Sequence, residues 1–449
     1  MILDEFNKPL YLIGCVNEIG KRQKADNISG LLREPCLKEY VSSKSKNNIT
    51  GYFMQIGIDD FDEINGRFGL KCGDEILKQF SMCMQSCINE NQKIYELGNG
   101  RFIIMDLANH SKEDILELYD ELKKSVEVAL EENVYRVVYT ISVGIVEIDK
   151  EMKDYDTLIK YSDFALNEAK KKGKNSCYFF TQDKYKQFIR RREIRVELQN
   201  AVDHNFKNFD VYYQPIIDIH TRNLIGAEAL MRFKMKRNEQ IEFISPAEFI
   251  PILEESGLII PAGRWILRQA VACCKKWQEF IPEFKVNVNL SYVQIIKSKI
   301  LDEIKQALKD FNLKPALLGI EVTESGYLEN TYHYKKLWSS LKEEGITLIL
   351  DDYGTGYSNA YRLSDLTPHY IKIDRVLTQK ALSSNYERSI LIYIIEMAHS
   401  LKLNVCIEGV ETEEELQEIK KLNPDYIQGY LFGKPAPEDE FYNRQIKKK

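Results

Sequence analysis

No basic excess, no long apolar run and no zinc-type cysteine spacing are found in this chain of 449 residues. With 62 Lys and Arg against 68 Asp and Glu, the net charge is −6. The footprint of a protein that grips a nucleic-acid polymer is therefore missing. An anionic substrate would have to be met by local Arg, Lys or metal ions. No apolar segment approaches the roughly 18 residues that span a bilayer, and no signal-peptide pattern is seen. The reading is a cytoplasmic protein with no membrane span. The nine cysteines, including the adjacent pair Cys273 and Cys274, read as reduced thiols.

What is present is strand–helix alternation, in two styles. Residues 1–25 are too short for a domain. Phe6 to Ile19 reads as a turn, a strand and a charged helix, like the last strand and exit helix of a PAS sensor domain, so residues 1–25 are expected to be a PAS remnant or a plain arm with its linker, on a chain cut from a longer protein. Residues 26–182 give strands near 50–58, 93–97, 101–106 and 138–147 with helices between them, an α/β domain on a central sheet. The segment 183–203 is rich in Arg, Lys and Glu and reads as a connector helix. From 204 to 446 the alternation becomes strict. Eight strand candidates separated by helices predict a TIM-type (β/α)8 barrel, whose catalytic groups belong at the carboxyl ends of the strands.

Seven of those strand candidates each run into a polar group: Glu228, Asn289, Glu321, Asp351 with Asp352, Lys372, Glu408 and Gln428. One acid at a strand end is usually a solvated or helix-capping group. Seven in order describe a single site. The groups are mostly hard oxygen donors, suited to divalent cations acting on a phosphate ester.

The surrounding residues carry a family resemblance. Glu228-Ala-Leu230 with Arg232, Tyr213-Gln-Pro215, Asn289-Leu-Ser291, Glu321-Val-Thr-Glu324, Asp351-Asp-Tyr-Gly-Thr-Gly-Tyr-Ser358, Lys372-Ile-Asp-Arg375, Glu408-Gly-Val-Glu411 and Gln428-Gly-Tyr resemble, in order, the motifs of EAL-domain cyclic-di-GMP phosphodiesterases. The resemblance implies two Mg2+ or Mn2+ ions, one held by Glu228, Asn289, Glu321 and Asp351, the other by Asp351, Asp352 and Glu408. It gives Lys372 the task of positioning or deprotonating the attacking water; stabilising transition-state charge remains an open alternative. Arg232 is the implied phosphate contact. Gln214, Gln428 and Glu411 are implied to face the ligand, and Glu324 to anchor the Asp351–Asn359 loop. Tyr353, Asn359, Met231 and Phe233 depart from the usual residues without removing a ligand. The implied reaction opens cyclic di-GMP to linear pGpG. A catalytically silent cyclic-di-GMP receptor is the alternative.

Residues 26–182 resemble a GGDEF diguanylate cyclase domain through Asp26-Asn-Ile-Ser-Gly-Leu31, Asp59-Asp-Phe61, Asn65, Cys72-Gly-Asp74, Ser142-Val-Gly144, Ala169-Lys170 and Gly173-Lys174-Asn175. The signature itself reads Gly98-Asn-Gly-Arg-Phe102. Glycines at 57 and 100 stand where the family has metal-binding acids, which implies no cyclase activity. The family's inhibitory product motif is replaced by Asn89-Glu-Asn-Gln92. Asn65 and Asp74, which in the family contact the guanine edge, remain, with Lys170 and Lys174 at phosphate positions. The resemblance thus leaves a domain that binds GTP and stimulates its neighbour, or one kept for folding and dimerisation. A homodimer is expected from both families.

Overall fold

A computed structural model describes residues 24–44, 50–108, 110–131, 137–149, 154–237, 239–323, 331–354 and 367–447. The chain divides into two compact units between Ile189 and Arg190. That division falls inside one continuous helix, Gln182–Asp203.

The first unit is a six-stranded sheet with order β1-β3-β4-β2-β5-β6, formed by β1 (Leu32–Arg33), β2 (Gly51–Ile58), β3 (Gln92–Gly98), β4 (Arg101–Asp106), β5 (Ile141–Ile148) and β6 (Cys177–Phe179). Every residue of β2 is buried, as the centre of a sheet covered on both faces requires. Alternate side chains serve two cores: Met54 and Ile56 face one, Phe53 the other. The expected α/β domain on a central sheet is observed. The two short strands β1 and β6 were not foreseen, because two or three residues carry no readable period.

In the second unit, the strands are β7 (Phe209–Asp218), β8 (Leu224–Arg237), β9 (Gln240–Ile244), β10 (Lys285–Asn289), β11 (Leu318–Thr323), β12 (Thr347–Tyr353), β13 (Tyr370–Ile373), β14 (Asn404–Glu408), β15 (Tyr426–Gln428) and β16 (Ala436–Pro437). Eight of them, β7-β8-β10-β11-β12-β13-β14-β15, close into a barrel through the β15–β7 and β7–β8 pairings. Helices such as Pro246–Ser256, Ile259–Trp277 and Asn385–Ser400 pack outside it.

Strict alternation is corrected at the first strand. β7 runs antiparallel to both neighbours. Only residues 219–223 separate it from β8, enough for a hairpin and too few for a crossover helix. Asp218 closes that turn by accepting from the backbone N–H of His220 and Thr221 at 3.0 and 2.8 Å. The other seven barrel strands run parallel, so their carboxyl ends reach one mouth.

All eight cysteines among the described residues are free. No helix among them is long and apolar enough to cross a membrane.

Candidate active site at the barrel mouth

Register explains why residues distant in sequence converge. Glu228 on β8 pairs with Gln214 on β7, Asn289 on β10 with Glu321 on β11, and Glu408 on β14 with Gln428 on β15. Each strand contributes its inward-facing residue at a similar height.

Lys372 lies at the centre and is among the largest fully buried side chains. Its Nζ is 2.9 Å from Glu228 Oε2, 3.1 Å from Glu321 Oε2, 2.7 Å from Glu408 Oε1 and 3.4 Å from Asp351 Oδ1. Asn289 donates to Glu228 Oε1 at 2.7 Å. Gln428 donates to Glu228 Oε2 at 2.7 Å and to Gln214 Oε1 at 3.1 Å.

Asp351 and Asp352 pose a geometric problem, since neighbours on a strand point to opposite faces. The β12–β13 register shifts between Leu350 and Tyr353, and Asp352 has φ 56°. Aspartate tolerates the left-handed region better than most residues. With alternation broken there, Asp351, Asp352 and Glu408 bring carboxylate oxygens within 4.8 Å of one another, as do Glu228, Glu321 and Asp351. The two triads share Asp351.

The charge state follows from this crowding. Burial opposes the charge on Lys372, yet Asp351, Glu228, Glu321 and Glu408 outweigh it and hold the ammonium well above the ordinary lysine range. Burial, then repulsion from Glu228, raises Glu321 well above the usual carboxylate range. Burial also raises Asp351. It pushes Glu408 up to about 8 and, with repulsion from Asp351, Asp352 up to about 6. Glu228 is buried too, but Lys372, Gln428 and Asn289 together bring it below its ordinary value. The carboxyls titrate as one group. One lysine is shared among five acids, and the buried Oδ1 of Asp351 has only the Lys372 ammonium, 3.4 Å away, to face it. Hard oxygen donors crowded around one lysine, with a buried carboxylate oxygen that makes no close hydrogen bond, fit divalent cations.

A cavity of about 240 Å3 opens above the cluster, lined by Gln214, Glu228, Asp351, Lys372, Glu408, Glu411 and Gln428 together with Arg375 and Tyr430. Glu411 pairs with Arg375 at 2.7 Å. Leu230 also lines an adjoining cavity of about 500 Å3, which carries Arg232 and Asn289 on a mostly apolar wall. The Arg232 guanidinium lies 5.4 Å from the Tyr212 ring centre. Most of the residues read from the sequence thus surround one space. Glu324, with Thr355 to Asn359 of the expected loop, lies outside the described residues. Sequence reasoning gave Arg375 a structural part and Tyr430 none, although each is the last residue of a motif it used and both line the cavity. It also passed over Asn287, a buried amide one strand period before Asn289.

In the first unit, Gly57 pairs with Arg101 across β2 and β4, and Ile58 N–H donates to Gly100 O at 2.9 Å. The two glycines are therefore neighbours. A Cβ on Gly57 would lie 3.1 Å from Lys170 Nζ, so the lysine borders the space a side chain would take. A Cβ on Gly100, at φ 68°, would lie 2.9 Å from the Phe61 ring. Lys174 pairs with Asp60 at 2.7 Å. Asn65 sits against Gly73, its Oδ1 buried without a partner, and Asp74 is exposed on the next helix, Leu70–Cys87.

Comparison with known proteins adds relatives to this geometry. The EAL domain profile matches residues 195–435, and the profile described as diguanylate cyclase, GGDEF domain, matches 24–176. Signaling protein YkoW of Bacillus subtilis (strain 168) is 31% identical over 399 residues, covering 88% of this chain and 48% of that protein. Cyclic di-GMP phosphodiesterase PdeR of Escherichia coli (strain K12) is 28% identical over 430 residues, covering 94% and 64%. The chain spans from about half to just under two thirds of the length of these curated relatives. The solved PaMucR phosphodiesterase in complex with c-di-GMP superposes with a TM-score of 0.52 at 29% identity, covering 56% of this chain and 99% of that one.

Proposed function

The chain belongs to the EAL domain family, with a GGDEF domain ahead of the barrel, and from that premise we propose that the barrel hydrolyses cyclic di-GMP to linear pGpG. The observation that carries this reading is the pair of acidic triads sharing Asp351 around a buried lysine. Glu228, Asn289, Glu321 and Asp351 would hold one divalent ion, and Asp351, Asp352 and Glu408 the other. Two Mg2+ or Mn2+ ions held there would acidify a water and neutralise phosphoryl charge.

The chain's own groups do the rest. Arg232, on the wall of the larger cavity, suits the non-bridging oxygens of a phosphate. The apolar cavity beside it suits a guanine face. Gln214, Gln428 and Glu411 present amide and carboxylate groups to the ligand. Glu324 is assigned the anchoring of the loop that follows β12. Lys372, held charged by four carboxylates, is suited to orienting the water and stabilising negative charge on phosphorus. Water oxygen bonds to phosphorus, the P–O3′ bond breaks, and a proton passes to O3′.

Turnover of cyclic di-GMP with Mn2+ tests the reading. Glu228→Ala should lose at least a hundredfold in turnover, since it removes both a ligand and a Lys372 partner. A full-rate variant refutes the assignment, and intact protein with zero turnover would favour the silent receptor.

For the first domain the reading is a cyclase without activity that binds GTP and raises barrel activity. Gly57 and Gly100 supply no metal ligand. In this reading Asn65 and Asp74 would recognise the base, and Lys170 and Lys174 the phosphates. Cyclic di-GMP made from GTP and Mg2+ by this chain would contradict it. A homodimer is proposed as well. Tyr386, Ile390 and Tyr393 form an exposed stripe on the helix Asn385–Ser400, which supports pairing. A monomer by sedimentation at tens of micromolar, on the order of a weak dimer's dissociation constant, would remove that part.

A further inference from the structure

One layer beneath the acidic cluster, inside the barrel, lies a polar pair that the reaction does not itself employ. Asn287 is 2% exposed and Tyr370 is 8% exposed. The Asn287 amide donates one N–H to Glu321 Oε1 at 2.8 Å and the other to Tyr370 Oη at 2.5 Å. Glu321 is fully buried, and its second oxygen, Oε2, accepts from Lys372 at 3.1 Å. The carboxylate plane is therefore held from below by Asn287 and from the side by Lys372.

Two further observations show that the position is built. Asn287 lies opposite Gly319 in the β10–β11 register. A Cβ at 319 would fall 2.2 Å from Asn287 Oδ1, so the amide occupies space that only glycine leaves open. Asn287 and Asn289 also share one face of β10, two residues apart. Asn289 donates to Glu228, and Asn287 donates to Glu321. Each asparagine thus holds one carboxylate of a neighbouring strand. A cavity of about 150 Å3 at the opposite end of the barrel borders both Asn287 and Tyr370. Among the described residues, Asn287 is the group that hydrogen-bonds Glu321 Oε1 from that side.

We propose that Asn287, itself held by the Tyr370 hydroxyl, is a positioning residue that orients Glu321 for divalent-cation binding. This rests on the two-metal reading of the barrel mouth. The donor set requires it: a buried carboxylate that is to ligate a metal needs its other oxygen fixed, and loss of such a partner commonly weakens metal affinity about 10- to 100-fold.

The test measures Mn2+ binding to the full chain by the electron paramagnetic resonance signal of free Mn2+, with no substrate present. Asn287→Leu keeps the branched shape, with slightly larger tips, and removes the donor. Tyr370→Phe keeps the ring and removes the hydroxyl. Circular dichroism in EDTA checks that each is folded. Asn287→Leu should weaken Mn2+ binding about 10- to 100-fold. Tyr370→Phe should weaken it about two- to tenfold, the value of one hydrogen bond. A folded variant of either kind that binds Mn2+ with the unaltered constant overturns the proposal alone. A wild-type chain that binds no Mn2+ overturns both it and the reading it rests on.

Discussion

Glu408 illustrates how a single residue carries both the liability and the purpose of the site. Its carboxyl is pushed up to about 8 by burial, with Lys372 opposing and Asp351 and Glu228 adding to the rise. A folded value above the unfolded one means the native state holds the proton more tightly. The associated stability is present at low pH and is lost as pH rises toward about 8. His369 shifts the other way, held below the ordinary 6.5 by burial and by Lys342 and Lys285, so its opposing contribution is small above that pH. Between pH 6.5 and 8, metal-free protein should therefore lose about 1–2 kcal/mol of barrel stability, read as a falling thermal midpoint in EDTA. Excess Mn2+ should reverse the fall, because a ligating carboxylate must be deprotonated. A midpoint in EDTA that rises over this range would contradict the charge arrangement described.

At the scale of the element, β12 decides whether two adjacent acids can share a site. Their presence was plain in the sequence, but strand alternation alone would send one of them outward. The bulge and the left-handed Asp352 turn both to the mouth. Asp352→Asn separates conformation from charge, since asparagine tolerates the same backbone region. The metal-free variant should be as stable as the wild type or more so, because a half-buried carboxylate raised to about 6 by desolvation and by Asp351 is no longer there. Turnover should fall about 10- to 100-fold or more, the scale of loss when a metal site loses a partner. An unchanged rate with Mn2+ would remove Asp352 from the second ligand set. The hairpin between β7 and β8 is the other element that sequence spacing hid. Five residues were counted as a gap in an alternating pattern, whereas a gap that short dictates an antiparallel pair. Asn287 was overlooked for a related reason. A polar residue inside a short apolar run looks like a break in the pattern until its partners, Glu321 and Tyr370, are seen.

For the whole molecule, the two units differ in their acids. Both triads of carboxylates found among the described residues lie in the barrel, while the first domain has glycine at 57 and 100. The proposal that GTP binds the first domain and raises barrel turnover predicts a measurable link. Calorimetry should detect GTP binding, and Lys170→Ala should weaken it about tenfold or more, because a phosphate contact to a cation is worth roughly 1.5–3 kcal/mol. Cyclic-di-GMP hydrolysis should rise with GTP in the wild type and less in that variant. No binding at millimolar nucleotide, a range that corresponds to only about 4 kcal/mol of affinity, would leave the domain a scaffold.

The sequence by itself determined the class of each domain, the order of the eight barrel strands and most of the polar residues that the barrel mouth gathers. Apolar runs ending in hard donors are local patterns, and local patterns survive in one dimension. Only the tertiary structure decided what those residues mean to each other. Lys372 is an unremarkable strand residue until barrel closure buries its ammonium among four carboxylates. Barrel closure also sets the break in alternation at Asp352 and the amide that holds Glu321. Each depends on register between strands far apart in the chain, and register is set by closure and packing rather than by neighbours in sequence.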